Sequence, residues 1–93
     1  MFFVYILVCE DGSFYVGHTQ DVEQRMTRHQ DGTAAAYTHK RSPVRLAHVE
    51  RHPSRESAVA RERQIKGWTR DKKEALIRGD LDMLHRLSRR RRR

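Results

Sequence analysis

The sequence has one cysteine, Cys9, and therefore no internal disulfide. That suits a reducing compartment, and a cytoplasmic location is expected. It has two prolines, Pro43 and Pro53, and no asparagine. It also lacks a long apolar run. Phe2 to Val8 is too short to span a membrane, which takes about 20 residues. No basic segment precedes it and Glu10 and Asp11 follow it, so it does not read as a signal peptide either. No internal repeat and no domain linker stand out. Carboxylates are the scarce charge: 12 Asp and Glu against 20 Lys and Arg leave the chain at +8. Such an excess favours a polyanionic partner. No long amphipathic helix of the membrane-surface kind is present. Nucleic acid, DNA first, is the expected partner, and a membrane is not. Ninety-three residues make one domain whose core is small, since a chain of this size buries only ~60–65% of its unfolded surface.

The order of apolar runs predicts a small α/β (α+β) fold: a three-stranded, mainly antiparallel sheet flanked by helices. Residues 2–9 read as a strand with Phe2, Val4, Ile6 and Val8 on one face and Phe3, Tyr5, Leu7 and Cys9 on the other. Both faces are apolar, which places this strand centrally and covered on both sides. Asp11-Gly12 signals a hairpin, with Phe14 to Gly17 as the partner strand. A two-residue loop would turn Tyr5 and Tyr15 to opposite faces. A three-residue loop, Glu10 to Gly12, pairs Leu7 with Tyr15 and Tyr5 with Gly17 and sets both tyrosines on one face. Asp21 with Gln24 resembles a capping box, opening a helix to about Gln30 with Val22, Met26 and His29 on its apolar stripe. Asp31 to Ser42 reads as a loop and Val44 to Glu50 as a third strand. Ser54 can cap a helix from Arg55 to about Trp68, Thr69 another to about Ile77, and Asp80 a short last one. Residues 1–80 then form the main domain. Residues 81–93 add the short helix and a basic tail, Arg89 to Arg93, whose like charges predict disorder.

Four polar residues would gather beside the hairpin: Tyr5, Tyr15, Arg25 and His29. Arg25 and His29 stand one helical turn apart. A fifth, Glu62, falls between Ala58 and Ile65 on the inward stripe of its helix, where a carboxylate is unusual. Singly, each has an ordinary reading. The tyrosines suit strands by propensity. Arg25 and His29 could be solvated helix residues. Glu62 and Lys66 could be a surface pair worth ~0.2–0.5 kcal/mol. Jointly they need five coincidences of type and spacing. Trp68 reads as core or as a helix-end anchor. His48 and His52 share i, i+4 spacing, but Pro53 and the strand around His48 argue against one helix.

Val4-Tyr5-Ile6 and Tyr15-Val16-Gly17 resemble the two halves of the GIY-YIG nuclease motif, with Val4 for the first Gly and Val16 for the Ile. Arg25 matches the family's helix arginine and Glu62 its metal-binding glutamate, and His29 sits where many members carry a histidine. The likeness covers residues 2 to about 77 and is greatest to the small stand-alone bacterial members. The asparagine that many members place after the glutamate helix has no counterpart here. The resemblance implies a metal-dependent endonuclease that hydrolyses DNA phosphodiester bonds, with Tyr5, Tyr15, Arg25, His29 and Glu62 as catalytic residues.

The chemistry of these side chains agrees. Hydrolysis needs an activated water, a group on the phosphoryl charge and help for the leaving oxygen, and a divalent cation can serve several of these needs. Glu62 is a hard oxygen ligand suited to Mg²⁺ or Mn²⁺, and Mg²⁺ usually takes one or two carboxylates with waters and phosphate. Arg25 offers a planar fork of donors to phosphate oxygens. A tyrosine near a cation and an arginine could act as general base, and the residues leave open whether that is Tyr5 or Tyr15. His18, Lys40, Arg41 and Lys66, with Arg89, Arg90, Arg91, Arg92 and Arg93, are candidate nucleic-acid contacts. For His18 the plainer alternative is an exposed imidazole at a strand end. A domain this small has little surface for reading sequence, so structure-selective or weakly specific cleavage is expected, perhaps in DNA repair. The alternative is a binding module with the same fold and weakened chemistry.

Overall fold

The apolar segment at the start of the chain becomes the middle of a sheet. In the computed structural model, which describes residues 1–91 and side chains as far as Arg89, the elements follow in the order β1 (Phe2–Cys9), β2 (Phe14–Thr19), α1 (Val22–Gln30), α2 (Ala36–His39), β3 (Val44–His52), α3 (Arg55–Lys66), α4 (Arg70–Arg78) and α5 (Leu81–Arg91). The sheet order is β2-β1-β3, and both pairings are antiparallel. The class is the α+β one expected.

Each face of β1 nucleates its own core. Val4 and Ile6, with Val16, Ala58, Ile65 and Leu76, form one cluster under α3 and α4, which Phe2, Phe14, Trp68 and Leu84 extend. Tyr5, Leu7, Cys9 and Val44 form the other, joined by Tyr15 and Met26 under α1. At about 25 cal/mol per Å² of apolar surface buried, two small clusters on one shared strand must carry most of the stability. Trp68 packs on the first cluster with the Arg61 guanidinium and the Lys72 ammonium against its ring, at 5.1 and 4.5 Å.

The hairpin takes the three-residue loop. Tyr5 pairs with Gly17 and Leu7 with Tyr15. The Gly12 amide donates to the Cys9 carbonyl and the Cys9 amide to the Ser13 carbonyl, both at 2.9 Å. Gly12 has φ 86°, a left-handed conformation that an L side chain adopts only at a cost. The helix caps are also as expected: Asp21, Ser54 and Thr69 accept from the amides of Gln24, Ser57 and Lys72, and Asp80 accepts from Met83.

Five expectations need correction. β2 runs on to Thr19, and β3 runs past Glu50 to His52 and stops before Pro53, which has no amide to donate. α3 ends at Lys66, two residues early, because the Gly67 amide turns back to the carbonyls of Arg63 and Gln64. The stretch read as a loop contains α2; its approach, Ala34 to Ala36, is rich in the best helix former, and its buried Thr38 anchors it. α5 continues through Arg89, Arg90 and Arg91, where like-charge repulsion suggested a disordered tail; arginine's high helix propensity opposes that repulsion. Arg92 and Arg93 lie outside the described residues.

Candidate active site

The site is built at the β2 edge of the sheet, around the gap that Gly17 leaves. A Cβ on Gly17 would lie 2.6 Å from the Tyr5 hydroxyl oxygen, so only glycine lets that hydroxyl cross over β2. Tyr5 and Tyr15 share one face, with ring centroids 6.4 Å apart. Both lie edge-on to His29, at 5.7 and 5.2 Å. The Tyr5 hydroxyl is 3.0 Å from His29 Nε2, and His29 Nδ1 is 2.8 Å from the Thr38 hydroxyl. Tyr5 is 1% exposed and His29 fully buried, whereas Tyr15 is half-buried and reachable.

Arg25 reaches over from α1. It donates to the His18 carbonyl at 3.5 Å and bears on the Tyr5 hydroxyl as a hydrogen-bond donor. Glu62 comes from α3, on the other side of the sheet, and its Oε1 accepts from His18 Nδ1 while its Oε2 takes Lys66 Nζ at 2.6 Å. Arg25 thus holds the backbone of His18 and Glu62 its ring. The two faces of the sheet meet at this residue, and Glu62's charge is felt at Tyr5.

Burial dominates the titration of these groups. It pushes Tyr5 up to about 12, with the charges of Tyr15 and Glu62 adding to it and Arg25 opposing. Burial, with Arg25 and Arg28 nearby, holds His29 below the usual imidazole value, so its ring is neutral at physiological pH. Burial would raise Glu62, but Lys66 and His18 together outweigh it and keep the carboxyl below its usual range. Glu62 is therefore an ionised oxygen donor whose side chain is 16% exposed.

The structure gathers Tyr5, Tyr15, Arg25, His29 and Glu62. Of the residues expected to touch nucleic acid, His18 and Lys66 are engaged with Glu62, so His18 is not a free imidazole at a strand end. Arg41 is engaged at the hairpin loop and α2: its Nε donates to Asp11 at 3.0 Å and its guanidinium lies 3.9 Å over the Tyr37 ring. Lys40 and Arg89 are exposed. Sequence reasoning missed Thr38 and Tyr37; the latter packs beside Tyr15 with centroids 6.0 Å apart. Nothing in their spacing marks them, since α2 spans only four residues and carries no period. His48 and His52, both on β3, donate to Glu50, which also receives two hydrogen bonds from Arg61 at 2.9 and 3.0 Å.

An α+β hairpin sheet with paired tyrosines, a helix arginine and a helix glutamate defines a class. The chain belongs to the GIY-YIG family: residues 1–75 match the family described as the GIY-YIG catalytic domain. Within that family it is 44% identical over 81 residues to a UPF0213 protein of Haloquadratum walsbyi, an alignment covering 87% of this chain and 91% of that one. It is similar to the solution NMR structure of a UPF0213 protein from Bacillus halodurans, at 45% identity and TM-score 0.54 with 83% of each chain covered. It is also similar to that of an E. faecalis protein, at 39% identity and TM-score 0.58 with 83% and 82% covered.

Proposed function

We propose that the protein is a metal-dependent endonuclease that hydrolyses DNA phosphodiester bonds, structure-selectively or with weak sequence preference. One observation carries this reading: Arg25 and Glu62 approach from opposite faces of the sheet and meet at His18, three residues along β2 from the half-buried Tyr15. A fork of phosphate donors next to an ionised carboxylate is what phosphoryl chemistry requires.

The residues fit a hard divalent ion. Among the described residues no cluster of three or more His, Cys, Asp or Glu could enclose one. A single carboxylate suffices for Mg²⁺ or Mn²⁺, which complete their shell with water and phosphate oxygens. Glu62 is ionised, and its oxygens already draw the Lys66 ammonium and an N–H of the His18 ring. Glu62 would hold the ion, which when bound lowers the pKa of a coordinated water and offsets phosphoryl charge. Arg25 binds and orients the phosphate. Tyr15, the more accessible member of the pair, would position the attacking water and, as its tyrosinate, take the water's proton and so return to the phenol. Tyr5, at a pKa of about 12 and out of solvent, stays protonated and positions Arg25. His29 holds Tyr5. Arg86 and Arg89, exposed on α5, and the net charge of +8 supply contacts to the phosphate backbone. A cytoplasmic setting, and a role in DNA repair, suit this activity. No described helix is long and apolar enough to cross a membrane.

A second reading has its own support. Both oxygens of Glu62 are engaged by His18 and Lys66, an arrangement that a module binding DNA without cutting it would also tolerate. Incubation with branched, single-stranded and duplex DNA, each with Mg²⁺, Mn²⁺ or EDTA, separates the two. Metal-dependent cleavage of the branched or single-stranded forms is expected. Binding without cleavage under every condition would favour the module.

A further inference from the structure

The reading above gives Thr38 no task, yet Thr38 is a fully buried polar residue that touches the site. A hydroxyl has one proton to donate. The Thr38 oxygen lies 3.2 Å from the Ala35 carbonyl and 2.8 Å from His29 Nδ1. The Ala35 carbonyl can only accept, and a Thr38 proton placed on it leaves the Thr38 oxygen to accept from His29 Nδ1–H. The buried imidazole is neutral and carries one proton, which leaves Nε2 bare. The Tyr5 hydroxyl, 3.0 Å from Nε2, then donates inward. Its lone pairs are then free to accept, and the Arg25 guanidinium acts on that hydroxyl. The chain Arg25, Tyr5, His29, Thr38, Ala35 thus runs in one direction, each group donating to the next.

We propose that Thr38 is a positioning residue: it fixes His29 in its Nδ1–H tautomer and so makes Tyr5 an acceptor for Arg25. The opposite tautomer would set two donors, His29 Nε2–H and Arg25, against one Tyr5 oxygen. Tyr5 would then have to send its own proton elsewhere from a buried place, and unmatched buried groups are costly. α2, a helix of four residues, is thereby tied to an arginine on the far side of two aromatic rings. The proposal rests on the nuclease reading only for what Arg25 does to phosphate; the tautomer is independent of it.

Long-range ¹H–¹⁵N spectra of the His29 ring test it on the intact chain, in wild type, Thr38→Val and Thr38→Ser. Wild type and Thr38→Ser should show protonated Nδ1 and bare Nε2. Thr38→Val, which keeps the shape and removes the acceptor, should shift the ring toward Nε2–H. DNA binding in EDTA should weaken about fivefold in Thr38→Val, the loss of one hydrogen bond's worth, and return in Thr38→Ser. A bare Nδ1 in wild type overturns the proposal, as does an Nδ1–H tautomer that survives in Thr38→Val. Should the valine variant not fold, the wild-type and serine spectra still decide. A wild type with the expected tautomer that cleaves no DNA supports the proposal and counts against the nuclease reading alone.

Discussion

Gly17 is the residue whose replacement the site tolerates least. Its backbone is not left-handed, so the demand is for space rather than for conformational freedom. Gly17→Ala would place a methyl 2.6 Å from the Tyr5 oxygen and force the ring, or β2, to move. Overpacking of this kind costs typically 1–3 kcal/mol. The expected result is a lowered melting temperature together with loss of the Tyr5–His29 hydrogen bond, visible as a change in the His29 ring ¹⁵N shifts; an unchanged spectrum would show that Tyr5 does not pass over Gly17. Arg25→Ala should weaken DNA binding in EDTA as well as cleavage, because it removes a phosphate contact made before any chemistry. Binding at the wild-type level would take Arg25 off the phosphate. At this scale much was legible in the sequence. The spacing of Tyr5, Gly12, Tyr15 and Gly17 leaves two hairpin registers, and only the three-residue loop, the one observed, sets both tyrosines on one face with Gly17 opposite Tyr5. Thr38 was not legible, since its role depends on a fold of chain that brings it against His29 from nine residues away. Nor was the pairing of His18 with Glu62, 44 residues apart.

Among the elements, α3 matters most because it carries Glu62. Two things seat it: the apolar contacts of Ala58 and Ile65, and Arg61, which grips both oxygens of Glu50 on β3. Burial would raise Glu50, but Arg61, His48 and His52 more than reverse this and hold it down to about 2, against an ordinary 4.5. A carboxyl depressed on folding contributes stability that is present above its unfolded pKa and lost as pH falls through its folded one. Glu50 should therefore help the fold fully above about pH 5 and lose that help between pH 4.5 and 2. The contribution is at most about 3 kcal/mol. Urea unfolding of wild type and Glu50→Gln checks it: the gap in stability should be wide at pH 6 and narrow at pH 3, and a constant gap would deny the link. Helices with a cap and an apolar stripe, α1, α3 and α4, could be read from the sequence. α2 has neither a side-chain cap nor a period, and it exists because Thr38 is held in place by the tertiary structure. The end of α5 departs from the expected disorder because arginine's helix propensity offsets the repulsion of like charges.

At the scale of the whole molecule, a charge of +8 on 93 residues makes DNA affinity a matter of counterion release. Deleting Arg89 to Arg93 removes five of those charges from the end of the chain, beyond Leu84, which packs on the core. Binding should weaken across all sequences and the slope of log affinity against log salt should flatten, with little change in melting temperature. An unchanged slope would mean that these arginines do not meet the phosphates. Neither charge nor fold distinguishes cutting DNA from holding it, and that distinction lies at Glu62. The most direct measurement compares wild type with Glu62→Gln on one branched duplex, scoring cleavage with Mg²⁺ or Mn²⁺ and binding in EDTA. The substitution keeps volume and removes the charge that would hold the ion. Cleavage should fall by orders of magnitude while binding stays level or improves, since a negative charge near the phosphate is gone. Cleavage by Glu62→Gln at the wild-type rate would contradict that role for Glu62.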